Sequence, residues 1–371
     1  MRYDGRMPQS DLDTPAPTTV PESGADPEAS ERTLRCGVIG VGRMGSHHAR
    51  LYTEIQGAEL IGVVDIDERR REAATEKWGV PAYQTTEELL AQGPDAVTIA
   101  TPTAQHLAVS LPLLDANVAC LIEKPLAPDL DEGRAIAEAA DRSGAVLQVG
   151  HVVRYDPVTR AIGSLEKFMP RFIEIHRVSP MTFRSVDVGV VLDMMIHDID
   201  VLLMLLGQEP EFVQANAVSV FGEAEDVCNA RLSFPADADG VRCVANVTAS
   251  RLALKTERKM RMICEHTYVS ADFVAGSGTV VRKTANEAQI ADVRRRLEAG
   301  EDLSHVDYLS LVKVESLNVV AGEPLKLQIE DFLSALRSGR RPTVDVHAGF
   351  AAVRTARRIV GAARDAGARM V

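Results

Sequence analysis

The sequence predicts an α/β protein. A doubly wound parallel sheet comes first, and a second, α+β domain with a mostly antiparallel open sheet follows. Three observations carry this expectation. A turn with the spacing Gly40-x-Gly42-x-x-Gly45 separates a short apolar run from a helix-forming stretch. Apolar runs and helix-patterned segments alternate up to about residue 150, and strand-like runs follow one another from about residue 211. Strands alternating with helices through short connections specify a parallel sheet covered on both faces, whereas consecutive strands favour antiparallel pairing.

In chain order, the first domain reads as strands at 35–40, 59–65, 82–83, 96–100, 119–122 and 145–149. Helices are expected between them at 44–54, 67–78, 86–91, 103–116 and 129–142. The second domain opens with a helix at 156–167, a strand at 171–178 and a very apolar helix at 191–206, closed by Gly207. Strands are expected at 211–221, 226–234, 240–250, 257–265 and 267–274, then a charged surface helix at 284–302. Helices at 326–338 and 346–367 carry apolar stripes and should return to brace both domains. The expected division is a disordered tail over 1–32, rich in proline and acid, a dinucleotide-binding domain over 33–155, a substrate and oligomerisation domain over 156–345, and a bracing C-terminal helix over 346–371.

The chain has 371 residues, enough for two cores, and its 46% hydrophobic and 25% charged content is that of a globular protein. With 41 basic and 53 acidic residues the net charge is −12 and no basic stripe appears, which argues against nucleic acid and anionic membranes as partners. An anionic substrate stays open, since a pocket can be locally positive. Five scattered cysteines show no metal-ligand spacing, so no metal is expected and a reducing, cytoplasmic setting is. No run is long and apolar enough to span a bilayer.

The glycine turn is the organising motif. Gly40 permits the tight turn, Gly42 lets a pyrophosphate approach the backbone, and Gly45 lets helix pack close on strand. Arg43 and Met44 open the helix whose N-terminus offers free N–H groups to phosphate. Asp65 ends the second strand, twenty residues after Gly45, where it would accept hydrogen bonds from ribose hydroxyls and repel a 2′-phosphate. NAD is therefore the expected cofactor, with NADP less favoured; Arg69, Arg70 and Arg71 read as a solvated helix face.

Three further groups sit where strand ends meet this crevice. Thr101, Pro102 and Thr103 follow a strand, with His106 on the next helix; Thr103 fits both a cofactor contact and a helix cap. Glu123-Lys124-Pro125 follows the next strand, and Lys124 there could stabilise negative charge on a reacting oxygen, although a solvated loop pair fits the same residues. Asp193 and His197 lie four apart, so on an α-helix they share a face, where the carboxylate should raise the imidazole pKa and orient it as a base. A structural pair at the helix start fits that spacing equally.

Taken as an ordered set, the glycine fingerprint, Ala100-Thr-Pro-Thr103, Glu123-Lys-Pro125 and Asp193-Met-Met-Ile-His-Asp198 resemble the Gfo/Idh/MocA family of NAD(P)-dependent oxidoreductases, from about Arg35 to the C-terminus. The resemblance implies that Lys124 lies between nicotinamide and substrate, that Asp193 and His197 act on the hydroxyl being oxidised, and that Pro125 is cis. It also implies a homo-oligomer, a dimer or tetramer, formed through the open face of the second sheet. Gln148-Val-Gly-His151-Val-Val-Arg154-Tyr155 and the segment around His197 resemble the nucleotide-sugar branch, which includes UDP-N-acetylglucosamine 3-dehydrogenases of amino-sugar and lipid A precursor synthesis. That likeness implies a small-molecule substrate, a nucleotide sugar, with His151, Arg154 and Tyr155 on its side of the cleft and Arg154 meeting an anionic group. The sequence departs from the branch pattern at Val153 and Asp156. Polyol or cyclitol dehydrogenases, NAD-dependent glycosidases and non-catalytic NAD-binding regulators share the fold and form the alternatives.

Overall fold

The computed structural model describes residues 32–166, 169–182, 188–221, 223–303 and 308–368. Apart from Arg32, the expected N-terminal tail lies outside the described residues. The first layer alternates β1 (Leu34–Ile39), α1 (Arg43–Glu54), β2 (Ala58–Val64), α2 (Glu68–Trp78), β3 (Ala82–Tyr83), α3 (Thr86–Leu90), β4 (Ala96–Ile99), α4 (His106–Asp115), β5 (Ala119–Glu123), α5 (Leu130–Ser143) and β6 (Leu147–Gly150). All its strand pairs are parallel, in the order β3-β2-β1-β4-β5-β6. β4, β5 and β6 are buried along their whole length, as a sheet covered on both faces requires.

Local chemistry sets the helix bounds. Asp67 and Asp129 cap α2 and α5 by accepting from the first-turn N–H groups. Both helices end on a glycine in the left-handed region, Gly79 at φ 67° and Gly144 at φ 71°. The segment 103–116 departs from expectation. It begins as a tight three-residue turn over Thr103–Gln105, and neither that turn nor α4 has a side-chain cap, so Thr103 is no cap.

The second layer comprises α6 (Pro157–Gly163), β7 (Pro170–Val178), α7 (Ile196–Leu206), β8 (Phe212–Val218), β9 (Val227–Ala236), β10 (Arg242–Ser250), β11 (Glu257–Cys264), β12 (Thr267–Asp272), β13 (Ser277–Lys283), α8 (Glu287–Glu298) and β14 (Val312–Ser316). Its eight strands run β14-β13-β12-β11-β7-β10-β9-β8, antiparallel throughout except where β7 lies parallel to β10. Side chains alternate between a core face, with Ile173, Ile175, Val247, Met260 and Met262, and an open face bearing Glu174, His176, Asn246 and Arg261. A π-helical turn over Val191–Met195 leads into α7.

Of the two closing helices, α9 packs on the parallel sheet and α10 joins the two layers. In α9 (Pro324–Ser338), Ile329, Phe332 and Leu333 pack with Leu34, Val38, Leu51 and Tyr52 on one face of the parallel sheet. In α10 (Val346–Asp365), Val346, Ala352 and Val353 join the cluster on the other face, around Ile99, Ile122 and Ile136. One to two turns later Ala356, Ile359 and Val360 of the same helix join the second-layer core with Ile199 and Leu202.

Close packing at the head of β1 demands glycine. A Cβ on Gly45 would lie 1.8 Å from the Gly40 carbonyl oxygen, a backbone atom with no rotamer to yield. Gly45→Ala should therefore push α1 off β1 and lower unfolding stability by about 1–3 kcal/mol, the usual range for overpacking. Urea denaturation measures this, and an unchanged midpoint would show that the contact relaxes without cost.

Candidate active site

The parallel sheet delivers its functional side chains at the carboxyl ends of β1, β4, β5 and β6, where ligands of doubly wound sheets collect. They face the ends of β7 and β11 and the π-turn before α7 across a cleft of about 580 Å³. That size falls in the ~300–1,000 Å³ range of small-molecule sites. Arg43, Met44, Thr101, Glu123, Lys124, Asp193 and His197 all line it.

The cofactor end fits a dinucleotide. Gly42 caps α1 with no side-chain hydrogen bond, so the first-turn N–H groups carry no side-chain partner, and a Cβ there would meet only the Arg70 guanidinium at 3.8 Å. The Thr101 hydroxyl is buried at the cleft without a partner. Asp65 is buried at the end of β2, accepting from the N–H groups of Val41 at 2.9 Å and Asp67 at 3.0 Å. Its oxygens keep lone pairs for ribose hydroxyls. Arg70 stands 3.7 Å from Asp65 and 3.9 Å from Asp67, so its charge is balanced by carboxylates. Arg71 donates to the backbone carbonyls of Asp65 and Ile66. A dinucleotide held by these residues would supply hydride acceptance or donation to the cleft.

Lys124 is the hinge between the two walls. Its peptide bond to Pro125 is cis. Its Nζ donates to the Asp193 carbonyl oxygen at 2.7 Å and to Asp193 Oδ1 at 3.2 Å. An ammonium has three protons, so one stays available to the cleft. Behind it, Glu123 Oε1 lies 2.8 Å from His48 Nε2 in a buried pair. Burial alone would raise the Glu123 pKa, but the His48 hydrogen bond, the His48 charge and Lys124 outweigh it and hold the carboxyl below its usual range.

The expected Asp193–His197 dyad does not form. Both side chains line the cleft, but the π-turn breaks the i, i+4 geometry, and Asp193 turns to Lys124. The predicted rise in the His197 pKa is reversed: burial first, then the positive charges of Lys124 and Arg177, lower it well below the ordinary value. His197 Nδ1 is buried without a partner. His151 is fully buried beside it, with ring centroids 6.5 Å apart at 88°, and neither of its nitrogens has a partner. Burial lowers the His151 pKa as well.

Three other expected contacts turn inward. Arg154 forms a two-pronged pair with Asp200 at 2.7 and 2.8 Å and donates to the Thr343 carbonyl oxygen, so it ties α7 to the chain before α10 and does not line the cleft. The Tyr155 hydroxyl donates to Asp331 at 2.7 Å, and its ring lies in the core of the first layer. His106 is buried with its nitrogens 3.1–3.2 Å from the carbonyl oxygens of Thr101, Pro125 and Leu126, bracing the two loops that carry Thr101 and Lys124. Polar side chains near a cleft are drawn to whichever buried charge or carbonyl needs them, which spacing along the chain does not reveal.

Sequence reasoning passed over three cleft arginines, Arg177, Arg251 and Arg258. A signal existed. Arg177 follows Ile173 and Ile175, and Arg258 precedes Met260 and Met262, at the two-residue period of the buried face. Among the described residues, no group of three or more His, Cys, Asp or Glu side chains could hold a metal ion, and no helix is long and apolar enough to cross a membrane.

Two expected outcomes follow from this geometry. Arg154→Ala leaves Asp200, which is 0% exposed, as an unpaired buried carboxylate. It should cost about 3–5 kcal/mol in urea denaturation while NAD affinity of the folded fraction holds; a loss below 1 kcal/mol would show that Asp200 finds another partner. His151 and His197 are held neutral in the fold, whereas unfolded imidazoles protonate near ~6.5. The unfolded chain then binds more protons at low pH, so this stability is present above ~6.5 and is lost as pH falls below it. The urea midpoint should drop between about pH 7.5 and pH 5, and His151→Leu should flatten the slope. A slope unchanged in that variant would place the titration elsewhere.

Residues 34–151 match the oxidoreductase family with the NAD-binding Rossmann fold, and residues 131–270 match the GFO/IDH/MocA C-terminal domain. The UDP-N-acetylglucosamine 3-dehydrogenase of Acidithiobacillus ferrooxidans is 33% identical over 316 residues, covering 85% of this chain and 93% of that one. A crystal form of the enzyme from that organism superposes with a TM-score of 0.78, covering 90% of this chain and 98% of that one at 32% identity. The NAD-dependent scyllo-inositol 2-dehydrogenase of Bacillus subtilis is 34% identical over 193 residues, 48% of this chain and 56% of its own length. The fold, the uncapped glycine turn and these relatives agree: the chain belongs to the Gfo/Idh/MocA family and is an NAD-binding oxidoreductase acting on CH–OH groups.

Proposed function

We propose that this enzyme oxidises a secondary hydroxyl of a nucleotide-linked sugar, at C3 of UDP-N-acetylglucosamine. The observation that carries the reading is the charge of the cleft. Its lining includes five cationic side chains in a chain of net charge −12. Lys124, Arg177 and Arg251 are paired with Asp193, Asp198 and Asp226, and Arg43 opens the cofactor helix, so among the described residues Arg258 is the lining cation of the other wall with no ion pair. A neutral sugar needs no such available cation; a diphosphate does. The full-length similarity to the Acidithiobacillus ferrooxidans enzyme supports the same substrate class.

In this reading the hydroxyl lies between Lys124 and His197. Lys124, held by the carbonyl oxygen and Oδ1 of Asp193, points its remaining N–H at the hydroxyl oxygen and stabilises the negative charge that develops there. His197, kept neutral by burial and by its cationic neighbours, is the group that would accept the hydroxyl proton, while the bound cofactor would supply the hydride acceptor. Asp193 acts by positioning Lys124 and not by charging His197. Gly40, Gly42 and Gly45, the α1 N-terminus and Asp65 hold the dinucleotide, with Thr101 on its ribose side. The chain works in the cytoplasm as a homo-oligomer joined through the open face of the eight-stranded sheet, where Phe212 and Ile263 stand 57% and 46% exposed.

A cyclitol dehydrogenase is the second reading, favoured by the likeness to the Bacillus subtilis scyllo-inositol enzyme across 48% of the chain. NADH absorbance with NAD plus UDP-N-acetylglucosamine, and separately with inositol, separates the two. NADH formed with the nucleotide sugar alone is the expected result, and NADH formed with inositol alone would replace it with the second reading. Lys124→Ala and His197→Ala should each lower turnover by roughly 10²–10⁴ without loss of NAD affinity. Near wild-type turnover in both would remove these residues from the chemistry.

A further inference from the structure

The antiparallel register of β7 and β11 sets Arg177 directly opposite Arg258 on the core face of the sheet, at the mouth of the cleft. Residues opposite each other on neighbouring strands have Cβ atoms roughly 4.5–5.5 Å apart, and like charges there repel. Among the described residues only one of the two has an ion pair. Arg177 is buried and grips Asp198 with both prongs at 2.7 Å, using both carboxylate oxygens. Arg258 forms no ion pair or side-chain hydrogen bond among the described residues. The other cleft cations of this wall and the base of the site are engaged: Arg251 Nε donates to Asp226 at 2.6 Å, and Lys124 holds Asp193. Arg43 opens α1 on the opposite wall, at the cofactor turn.

The Arg177 charge opposes that of Arg258, while Asp198 and Asp156 favour it from beyond ion-pair distance. Exposed at the cleft mouth, the Arg258 guanidinium is open to an anion that would offset the like-charge repulsion. We propose that Arg258 is the residue that binds the substrate's diphosphate, with the Arg177–Asp198 pair fixing its position. The assignment rests on the nucleotide-sugar reading above and names the residue that would enforce it. A planar fork matches two phosphate oxygens at once, which a lysine in the same place could not do. The anion also reaches the chemistry. Arg258 is among the cations that depress proton affinity at His197, so a diphosphate that neutralises it makes the imidazole a stronger base once substrate is in place.

The test is calorimetric titration of UDP into the NAD-loaded protein, comparing wild type with Arg258→Met and Arg258→Lys. Free glucuronate serves as a carboxylate without phosphate. Wild type should bind UDP, Arg258→Met should weaken it at least tenfold, Arg258→Lys should recover part of that loss, and NAD affinity should be the same in all three. Thermal melting checks that each variant is folded; Arg258→Gln replaces Arg258→Met if the latter is not. Equal UDP binding in wild type and Arg258→Met, no UDP binding by wild type, or an Arg258-dependent binding of glucuronate in place of UDP would each overturn the assignment. The substrate reading fails separately: UDP held through Arg258 with no turnover of any nucleotide sugar refutes that reading alone. Turnover of UDP-N-acetylglucosamine with UDP binding indifferent to Arg258 refutes this inference alone.

Discussion

The contact on which the site depends is the double hydrogen bond from Lys124 Nζ to the carbonyl and carboxylate of Asp193. Lys124 belongs to the turn after β5 of the parallel sheet, and Asp193 to the π-turn that enters the second layer. The two are 69 residues apart in sequence, so no local preference brings them together. Once formed, the contact closes the base of the cleft and fixes the ammonium with one proton to spare. A positioned charge of this kind is worth more to catalysis than a mobile one, because it needs no reorganisation when charge develops on the reacting oxygen.

Support for that contact is layered behind it. Glu123 is held by His48, whose other nitrogen faces the Thr98 hydroxyl, and that hydroxyl meets Tyr52 in the core under α1. His106 spans three backbone carbonyls to join the turns after β4 and β5. On the other wall, Arg154–Asp200, Arg177–Asp198 and Arg251–Asp226 are buried Arg–Asp pairs. Such pairs add little net stability, since desolvation offsets their attraction, but breaking one is costly. They specify where α7 and the cleft loops sit.

The same burial decides the chemistry of the imidazoles. A carboxylate beside His197 would have made it cationic and useless as a proton acceptor at neutral pH. With Asp193 committed to Lys124, desolvation and the surrounding cations keep the ring neutral. The cleft thus carries cations in its lining yet retains an uncharged base.

The architecture was legible in the sequence because it is local. The period of apolar residues, the glycine turn and the acid after β2 all act within a few residues or one strand–helix–strand unit. The convergence of Thr101, Glu123 and Lys124 was legible too, since strand ends of a doubly wound sheet share one edge. The partner of each charge was not. Arg154, Tyr155 and His106 carry the polarity of site residues, yet Asp200, Asp331 and backbone carbonyls hold them inside the fold. Asp193 answers to Lys124 and not to His197, because a π-turn replaces the expected α-helical geometry. The strand register sets Arg258 opposite an Arg177 already paired with Asp198, and among the described residues Arg258 has no ion pair of its own. Charge pairing depends on distances between remote elements and on what burial costs, so only the tertiary structure could decide it.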